Sequence, residues 1–352
     1  MPRELIAIGP RSPGLRQYVD RAPGPGEILV RTMYGAPKHG TEMHMYRDDS
    51  PFASSRWDPL RRLFVDDRDT PKSFPRPLGN IAVGDVTKVG AGVQGVRVGD
   101  IVAGYGPLRE THLWSWAGPG AYPGVRKLPP GMTWQAAVCL DPATVALGGV
   151  RDGGVRIGDR VAVFGLGAIG LVAVQIARLA GAALVLAVDP IAARRSVALN
   201  TGADMTIDPS EDDAGMIVRE ATGGLGVDVA IEASGNPRAL HHAIRGLAFG
   251  GTVAVIAWYG EIRGGLDLGR EAHFNRPRLV FPRAESEPHD DHPRWDNRRQ
   301  ADAAWDLLAS GRLNAEPIIH PIVHFNEVVD AYREYVDEHP EQSIKLGVVF
   351  GS

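Results

Sequence analysis

The stretch Arg160-Val-Ala-Val-Phe-Gly-Leu-Gly-Ala-Ile-Gly170 decides the fold of this 352-residue chain. Its first half is a short apolar run of the kind that forms a buried parallel strand. Its second half matches the pattern G-x-G-x-x-G and is followed by apolar residues at helical spacing, Leu171, Val174 and Leu179. A glycine-rich turn between a buried strand and a helix is typical of a dinucleotide-binding βαβ unit.

Each glycine of this turn has a physical task in such a unit. Gly165 permits the tight turn, Gly167 lets the backbone approach a pyrophosphate, and Gly170 allows the helix to pack closely on the strand. The free N–H groups at the start of the helix, around Ala168 and Ile169, then face the phosphates. We therefore predict that all five residues contact the cofactor.

An acidic residue, Asp189, ends the next apolar run of the sequence. Its carboxylate is predicted to accept hydrogen bonds from the hydroxyls of the adenosine ribose, which favours NAD over NADP because a 2′-phosphate would be repelled. Arg194 and Arg195 follow closely and could soften that preference, so Arg194 is also a candidate cofactor contact.

Two later apolar runs end in turns that a parallel sheet would place at its carboxyl edge, where ligands bind. These turns are Glu232-Ala233-Ser234-Gly235 and Ala257-Trp258-Tyr259-Gly260. The nicotinamide ring is predicted to lie near them, in contact with Ala233, Ser234, Ala257 and Trp258. Residues 258 and 259 are explained equally well as part of a subunit interface.

Composition and charge exclude several other classes of protein. The net charge is only −4 and the basic residues are scattered, which argues against a nucleic acid or an anionic membrane as partner. No apolar run approaches the roughly 20 residues that cross a bilayer. The single cysteine, Cys139, excludes an intrachain disulfide. We expect a cytoplasmic protein with a small-molecule substrate.

With a β-rich first part, a βαβ unit and a short final part, nearly the whole chain resembles the medium-chain dehydrogenase/reductase superfamily, and the alcohol and polyol dehydrogenases look closest. Besides the Gly165 loop, the resemblance rests on Gly35-Ala-Pro-Lys-His-Gly-Thr-Glu-Met-His44, Gly79-Asn-Ile-Ala-Val-Gly84, Val98-Gly-Asp-Ile-Val102 and Leu140-Asp-Pro-Ala143. The implied fold class is α/β. A GroES-like β-rich catalytic domain occupies 1–141, a Rossmann domain with a doubly wound parallel sheet occupies 142–283, and 284–352 returns to the catalytic domain.

The resemblance also implies a path for a proton. Thr41 stands where the family keeps a hydroxyl that contacts the substrate oxygen and the nicotinamide ribose. His44 stands where some members keep a histidine that passes the proton to solvent. The alternatives are a structural threonine and an exposed loop histidine. In the same domain, Trp114 and Trp116 are candidates for a substrate wall, with core packing as the alternative.

The zinc site of the family is altered in this chain. His39 occupies the position of a zinc-binding cysteine, Asn80 that of a ligand histidine, and Asp141 that of the third ligand. Because a catalytic zinc generally has three Cys, His or carboxylate ligands, His39 and Asp141 alone predict weak binding of zinc or none. The four-cysteine structural zinc lobe is absent. Glu42 and Asn80 are then expected to contact a hydroxylated substrate.

The implied reaction transfers a hydride between NAD(H) and a secondary alcohol or ketone, with a polyol or a sugar-like compound as substrate. Thr41 and His44 would remove the proton, and His39 with Asp141 or a metal would stabilise the developing alkoxide. His39 could instead polarise a carbonyl without metal or be a loop residue. Two rival functions are a metal-free reductase of the same superfamily, acting on an activated double bond or a quinone, and a dinucleotide-binding protein without turnover.

An apolar segment near the end of the βαβ region predicts self-association. Residues 279–281 read Leu-Val-Phe and would form an exposed edge strand if they were left unpaired. Members of the superfamily commonly pair their Rossmann sheets edge to edge. A homodimer, or a homotetramer built from dimers, is therefore expected.

Overall fold

The structure is a computed structural model that describes residues 1–67, 74–118, 124–283 and 291–351. In chain order, its strands are β1 (Arg3–Gly9), β2 (Ser12–Gln17), β3 (Glu27–Ala36), β4 (Ser55–Asp58), β5 (Leu63–Asp66), β6 (Arg76–Pro77), β7 (Ile81–Val89), β8 (Ile101–Tyr105), β9 (Thr111–Ser115), β10 (Arg126–Lys127), β11 (Arg160–Phe164), β12 (Leu184–Val188), β13 (Met205–Ile207), β14 (Val227–Glu232), β15 (Leu247–Val255), β16 (Arg278–Val280), β17 (Ile319–His324) and β18 (Lys345–Val349). Its helices are α1 (Thr41–Arg47), α2 (Trp134–Val138), α3 (Leu140–Asp152), α4 (Ala168–Leu179), α5 (Ala192–Thr201), α6 (Ala214–Ala221), α7 (Pro237–Gly246), α8 (Glu271–Asn275), α9 (Asn297–Ala309) and α10 (Val328–Tyr332).

The chain divides into two compact units, residues 1–138 with 319–352, and residues 139–318. In the first unit, the largest sheet has the strand order β10-β8-β7-β3-β18-β17, and β9 also pairs with β3. The last strand, β18, is antiparallel to β3, with Val348 opposite Gly35. The end of the chain therefore returns to the first unit, as its sequence predicts.

The core of the first unit lies where the two ends of the chain meet. Buried side chains of this core come from strand β1, helices α1 and α10, strand β18 and the residues that flank α10 and β18. Among them are Leu5, Met43, Tyr46, Phe325, Tyr332, Leu346 and Phe350. Strands β4 and β5 pair only with each other within the described ranges and form a separate hairpin. This core fixes the surroundings of α1, the helix that begins at Thr41.

The second unit is a parallel sheet with the strand order β13-β12-β11-β14-β15-β16. Relative to the strand that precedes the glycine turn, this is the 3-2-1-4-5-6 order of a doubly wound dinucleotide-binding sheet. All neighbouring strands are parallel, and β11 and β14 lie side by side at the point where the strand order reverses. The α/β fold class with a Rossmann sheet, predicted from sequence, is confirmed.

The chain was expected to return to the catalytic domain at residue 284. The structure instead places helix α9, which lies after that residue, in the second unit. Helix α9 starts after Asp296, whose side chain accepts the N–H of Arg299, and it buries Ala301, Ala304, Trp305 and Leu308. Gln300 donates a hydrogen bond to the carbonyl of Thr144 in α3 at 2.9 Å. These contacts place α9 in the second unit, so the chain enters the first unit again at residue 319.

None of the helices within the described ranges is long and apolar enough to cross a membrane.

Candidate functional site

The glycine turn joins β11 to α4, and each glycine meets a different environment. A Cβ at Gly165, which has φ +87°, would lie 2.7 Å from the backbone nitrogen of Ser234. A Cβ at Gly170 would lie 1.8 Å from the carbonyl oxygen of Gly165. At Gly167 the described residues, apart from its chain neighbours and the backbone of its own helix, place no atom within 4 Å of such a Cβ. Packing within the protein therefore requires the outer two glycines, whereas the space beside Gly167 suits a ligand that approaches the backbone.

The start of α4 offers donors to an anion. Gly167 is the N-cap of this 12-residue helix and provides no side-chain hydrogen bond to the first turn. The first N–H groups of a helix have no partner within the helix, and the helix dipole makes this end positive. Ala168 and Ile169 are the first two residues of the helix, as their predicted contact with phosphates requires.

Asp189 lies directly after β12 and is almost completely buried. One carboxylate oxygen accepts the N–H of Leu166 in the glycine turn at 2.7 Å, and the other accepts the N–H of Ile191 at 2.8 Å. The side chain therefore ties the glycine turn to β12, a role that the sequence did not indicate. Each oxygen keeps a second lone pair for a ribose hydroxyl.

The two arginines behind Asp189 have different partners. The guanidinium of Arg194 approaches the Asp189 carboxylate to 3.9 Å. The guanidinium of Arg195 donates to the backbone carbonyl of Asp189 at 2.7 Å and forms an ion pair with Asp208 at 2.8 Å. Arg195 is thus engaged in holding the turn after β12, and Arg194 is the arginine next to the predicted ribose site.

A second turn at the carboxyl edge of the sheet is built on Glu232, the last residue of β14. Its buried carboxylate accepts the backbone N–H and the hydroxyl of Ser234 and the N–H of Gly235. Burial raises the pKa of Glu232. Ala233 is bonded through its N–H to the carbonyl of Phe164, the last residue of β11. Glu232 therefore shapes the turn that holds two of the predicted cofactor contacts.

The neighbouring turn follows β15 and carries the other two predicted contacts. The N–H of Ala257 donates to the carbonyl of Glu232 at 3.3 Å, so the two turns are adjacent. Trp258 is partly buried, and Tyr259 packs against the core of the second unit. The roles predicted for Ala257 and Trp258 in cofactor binding stay predictions.

In the first unit, His39 lies in the turn that precedes α1 and is held by β18. Its Nε2 accepts the backbone N–H of Leu346 at 3.1 Å. The adjacent Lys345 is buried, and its ammonium group donates to the carbonyl of Pro37 at 2.6 Å. The end of the chain thus fixes both the backbone and the imidazole of the segment before α1.

Glu42, in the first turn of α1, is engaged inside the unit. Its carboxylate accepts the N–H of Gly79 at 2.7 Å and the hydroxyl of Tyr332 at 2.9 Å. Burial raises the pKa of Glu42 to about 7, while these two donors and the charge of Lys345 act in the opposite direction. A contact of Glu42 with substrate stays a prediction; its observed contacts join α1 to the turn before β7 and to α10.

The two members of the predicted proton path lie on α1. Thr41 is its exposed first residue. His44 is partly buried, and its Nδ1 lies 2.7 Å from a carboxylate oxygen of Asp49. A carboxylate hydrogen-bonded to one ring nitrogen orients the imidazole. The arrangement suits a histidine that passes a proton to water.

The donor groups present do not fit a catalytic zinc. The Nε2 of His39 already accepts a backbone N–H, and the carboxylate of Glu42 faces an N–H and an O–H. Asn80 is a buried amide at the position of a ligand imidazole, and Asp141 is buried in the first turn of α3. In the part of the chain that the structure describes, no group of three His, Cys, Asp or Glu side chains could hold a metal ion.

The two tryptophans predicted as a substrate wall are packed. Trp116 is buried in an apolar cluster, and its Nε1 donates to the carbonyl of Gln94 at 2.8 Å. Trp114 is partly buried against the same cluster and stacks on His112, with the ring centroids 4.4 Å apart. Trp116 is thus a core residue, and the substrate contact of Trp114 stays a prediction.

Three residues that hold the segment around α1 escaped the sequence analysis. Tyr332 and Asp337 follow no motif and lie about 290 positions from the residues that they contact. The sequence does contain one indication of the role of Lys345. A lysine within the otherwise apolar run 344–350 must either face solvent or find a buried hydrogen-bond acceptor.

The fold and these residues define an oxidoreductase of the two-domain alcohol dehydrogenase type. The family model described as "Zinc-binding dehydrogenase" matches residues 168–283. D-guloside 3-dehydrogenase of Escherichia coli (strain K12) is 46% identical over 99% of this chain and 100% of its own. The chain therefore belongs to this family of the medium-chain dehydrogenase/reductase superfamily, and the predicted reaction class is confirmed.

Solved structures have the same fold. The 2R,3R-butanediol dehydrogenase of Bacillus subtilis matches with a TM-score of 0.75 at 21% identity over 99% of both chains. An E. coli CFT073 alcohol dehydrogenase (rspB), complexed with NADH, matches with a TM-score of 0.75 at 20% identity over 99% of both chains.

A pair of alanine substitutions separates packing from ligand binding in the glycine turn. Gly170→Ala forces a Cβ to 1.8 Å from a carbonyl oxygen, so we expect it to lower the free energy of unfolding by about 1–3 kcal/mol. Gly167→Ala meets no protein atom at an ordinary φ of −67°, so its melting temperature should match the wild type. Its affinity for NAD should nevertheless fall at least about tenfold. Calorimetry measures the stability of each variant, and fluorescence titration measures its affinity for NAD. A wild-type affinity in Gly167→Ala would contradict the placement of the pyrophosphate.

Asp189→Ala tests the ribose contact. Loss of a charge-assisted hydrogen bond should weaken binding of NAD by about tenfold to a hundredfold and reduce the preference over NADP. The melting temperature should also fall, because two amides lose a buried acceptor. Asp208→Ala, which removes a nearby carboxylate bound to Arg195, is the control and should keep the preference. The affinities of both variants for NAD and NADP are measured by titration. If folded Asp189→Ala keeps the wild-type ratio of these two affinities, the ribose contact is refuted.

Proposed function

We propose that the protein oxidises a secondary hydroxyl of a sugar derivative, a D-guloside being the first candidate, and transfers the hydride to NAD+. The observation that carries the redox chemistry is the arrangement of the glycine turn, with open space at Gly167 and a carboxylate at Asp189. The substrate class is supported by the full-length similarity to a D-guloside 3-dehydrogenase. Related folds are solved with NADH and with NADP, so the choice of NAD+ rests on the carboxylate of Asp189.

The reaction separates one C–H bond and one O–H bond of the substrate. NAD+, held by the glycine turn and Asp189, would accept the hydride that leaves the carbinol carbon with its electron pair. The hydroxyl proton passes to the Thr41 hydroxyl, from there to the imidazole of His44 and finally to water. The products are a ketone, NADH and a proton in solution. The carboxylate of Asp49, 2.7 Å from Nδ1, holds the imidazole of His44 in place for this transfer.

The proposal assigns no step to zinc. With Nε2 of His39 accepting the Leu346 amide, the proton of the neutral ring lies on Nδ1. His39 is then a hydrogen-bond donor and not a zinc ligand through Nε2. The amide of Asn80 is a poor substitute for a ligand imidazole. Hydrogen bonds from such side chains stabilise a developing alkoxide less than a divalent cation does, but in the same sense.

The activity can be tested with purified protein and NAD+. Alkyl D-gulosides should be oxidised, with polyols and simple secondary alcohols as weaker substrates, and the rate should survive dialysis against a chelator. Thr41→Ala should lower kcat by about 10²- to 10⁴-fold at unchanged affinity for NAD. The control is Thr201→Ala, because the hydroxyl of Thr201 donates to the carbonyls of Val197 and Ala198 in its own helix.

Three results would change the proposal. One zinc per subunit, whose removal abolishes activity, would overturn the metal-free chemistry. Reduction of a quinone or of an activated double bond, without oxidation of any alcohol, would favour the alternative reductase. Wild-type kcat in Thr41→Ala would remove the hydroxyl from the proton path.

We also propose that two copies associate through the edge strand β16. This strand pairs with β15 on one side, and the described residues place no strand on its other side. Leu279 is 37% exposed on it and Phe281 is 67% exposed just beyond it. Pairing two such edges around a twofold axis covers apolar side chains and satisfies free backbone groups.

Leu279→Asp should convert the dimer into a monomer, because a charge would be buried in the new interface. Met205→Asp is the matched control, since Met205 is 38% exposed on β13, the strand at the opposite edge of the sheet. Light scattering at micromolar concentration measures the mass of each variant. A wild-type monomer, or a Leu279→Asp dimer, would refute this interface.

A further inference from the structure

Helix α1 is too short to hold its own position. It has seven residues, and its N-cap, Gly40, makes no side-chain hydrogen bond to the first turn. Isolated helices of this length are unstable in water, so contacts with other elements must fix it. Because α1 carries Thr41 and His44, those contacts also determine where the proposed proton path begins and ends.

The first contact is made at the first turn of α1. Tyr332, the last residue of α10, is completely buried, and its hydroxyl donates to Glu42 at 2.9 Å. The other oxygen of the same carboxylate accepts the N–H of Gly79. Since Glu42 directly follows Thr41, this bond fixes the beginning of the helix.

The second contact is made at the last turn. Arg47 donates through Nε to the carboxylate of Asp337 at 2.9 Å and through Nη2 to its backbone carbonyl at 3.0 Å. Arg11 donates two further hydrogen bonds, at 3.0 and 2.9 Å, to the same carboxylate. The carboxylate of Asp337 is buried, whereas the side chains of Arg11 and Arg47 are 57% and 33% exposed. A buried carboxylate with two guanidinium partners holds a fixed geometry.

Tyr332 directly precedes a short stretch of unusual helix, and Asp337 lies within it. Residues Arg333–Glu338 form a π-helix, and the N–H of His339 donates to the carbonyl of Glu334, five residues earlier, at 2.7 Å. In an α-helix, residues five apart differ by about 140° around the axis, on different faces. Bonding between residues five apart brings them nearly above one another. The π-helix thus lets Tyr332 and Asp337 both reach α1.

We propose that Tyr332 and Asp337 are positioning residues that act together as a clamp on α1 and set the placement of Thr41 and His44. This inference rests on the proposed function for its kinetic consequence. The clamp itself is a set of contacts within the first unit and can be tested without activity.

Tyr332→Phe removes one hydroxyl and keeps the buried ring. Tyr46→Phe is its matched control, because Tyr46 lies in the same core, edge-on to Tyr332, and its buried hydroxyl has no hydrogen-bond partner among the described residues. We expect Tyr332→Phe to lower kcat by roughly 10- to 100-fold, with KM and the affinity for NAD nearly unchanged. Tyr46→Phe should stay within about twofold of the wild type.

A double-mutant cycle distinguishes positioning from general destabilisation. If Tyr332 acts through the first turn of α1, Thr41→Ala combined with Tyr332→Phe should be no slower than Thr41→Ala alone. Losses that multiply, or a kcat of Tyr332→Phe within twofold of the wild type, would overturn the inference. If Tyr332→Phe does not fold, Asp337→Asn replaces it in the double-mutant cycle with Thr41→Ala, because Asp337 contacts the other end of α1.

Hydrogen exchange supplies the readout that needs no substrate. Peptides that cover residues 41–47 should take up deuterium faster in Tyr332→Phe and in Asp337→Asn than in the wild type, but not in Tyr46→Phe. Unchanged exchange in both clamp variants would refute the clamp. Faster exchange in a protein that oxidises no alcohol would confirm the clamp and reject only the proposed function.

Discussion

A carboxylate that is buried away from water needs hydrogen-bond donors from the protein. The contacts around α1 in the first unit depend on this requirement at Glu42. Burial raises the pKa of Glu42 to about 7, because the hydrogen bonds from the protein only partly replace the hydration that the carboxylate loses. The donors come from distant parts of the chain, namely the N–H of Gly79 and the hydroxyl of Tyr332. Helix α1, the turn before β7 and helix α10 therefore have to meet at one point.

In the second unit, buried carboxylates likewise accept hydrogen bonds from the turns that form the predicted cofactor site. Asp189 receives backbone N–H groups from the glycine turn and from the residue two places on, and Glu232 receives N–H groups from the turn after β14. In both cases a carboxylate at the end of a strand fixes a neighbouring loop. An acidic residue in such a place need not face the ligand in order to matter for binding, and Asp189 can do both because each oxygen accepts more than one hydrogen bond.

Features encoded by a local pattern could be predicted from the sequence. The strand, the glycine turn and the helix that follow Arg160 were recognisable because close backbone approach demands glycine at fixed spacing. The buried strand at the end of the chain was recognisable from its apolar run. Tyr332 and Asp337 were not, since a tyrosine or an aspartate has no local signature for a partner nearly 300 residues away. From the sequence, all residues from 284 onward were placed in the catalytic domain, and it was missed that α9 belongs to the second unit, because the carbonyl of Thr144 that accepts from Gln300 lies 156 positions earlier.

The altered zinc positions and the dense hydrogen bonding around α1 have a common physical meaning. A metal with ligands on separate segments joins them covalently, and loss of ligands removes that cross-link. Here hydrogen bonds join the segment around His39 to the rest of its unit, because the Leu346 amide donates to Nε2 and the Lys345 ammonium donates to the carbonyl of Pro37. The charge of Lys345 also acts to lower the pKa of Glu42, against the larger effect of burial. Hydrogen bonds from the returning end of the chain thus cross-link the segment that carries His39, the residue at the family's first zinc-ligand position.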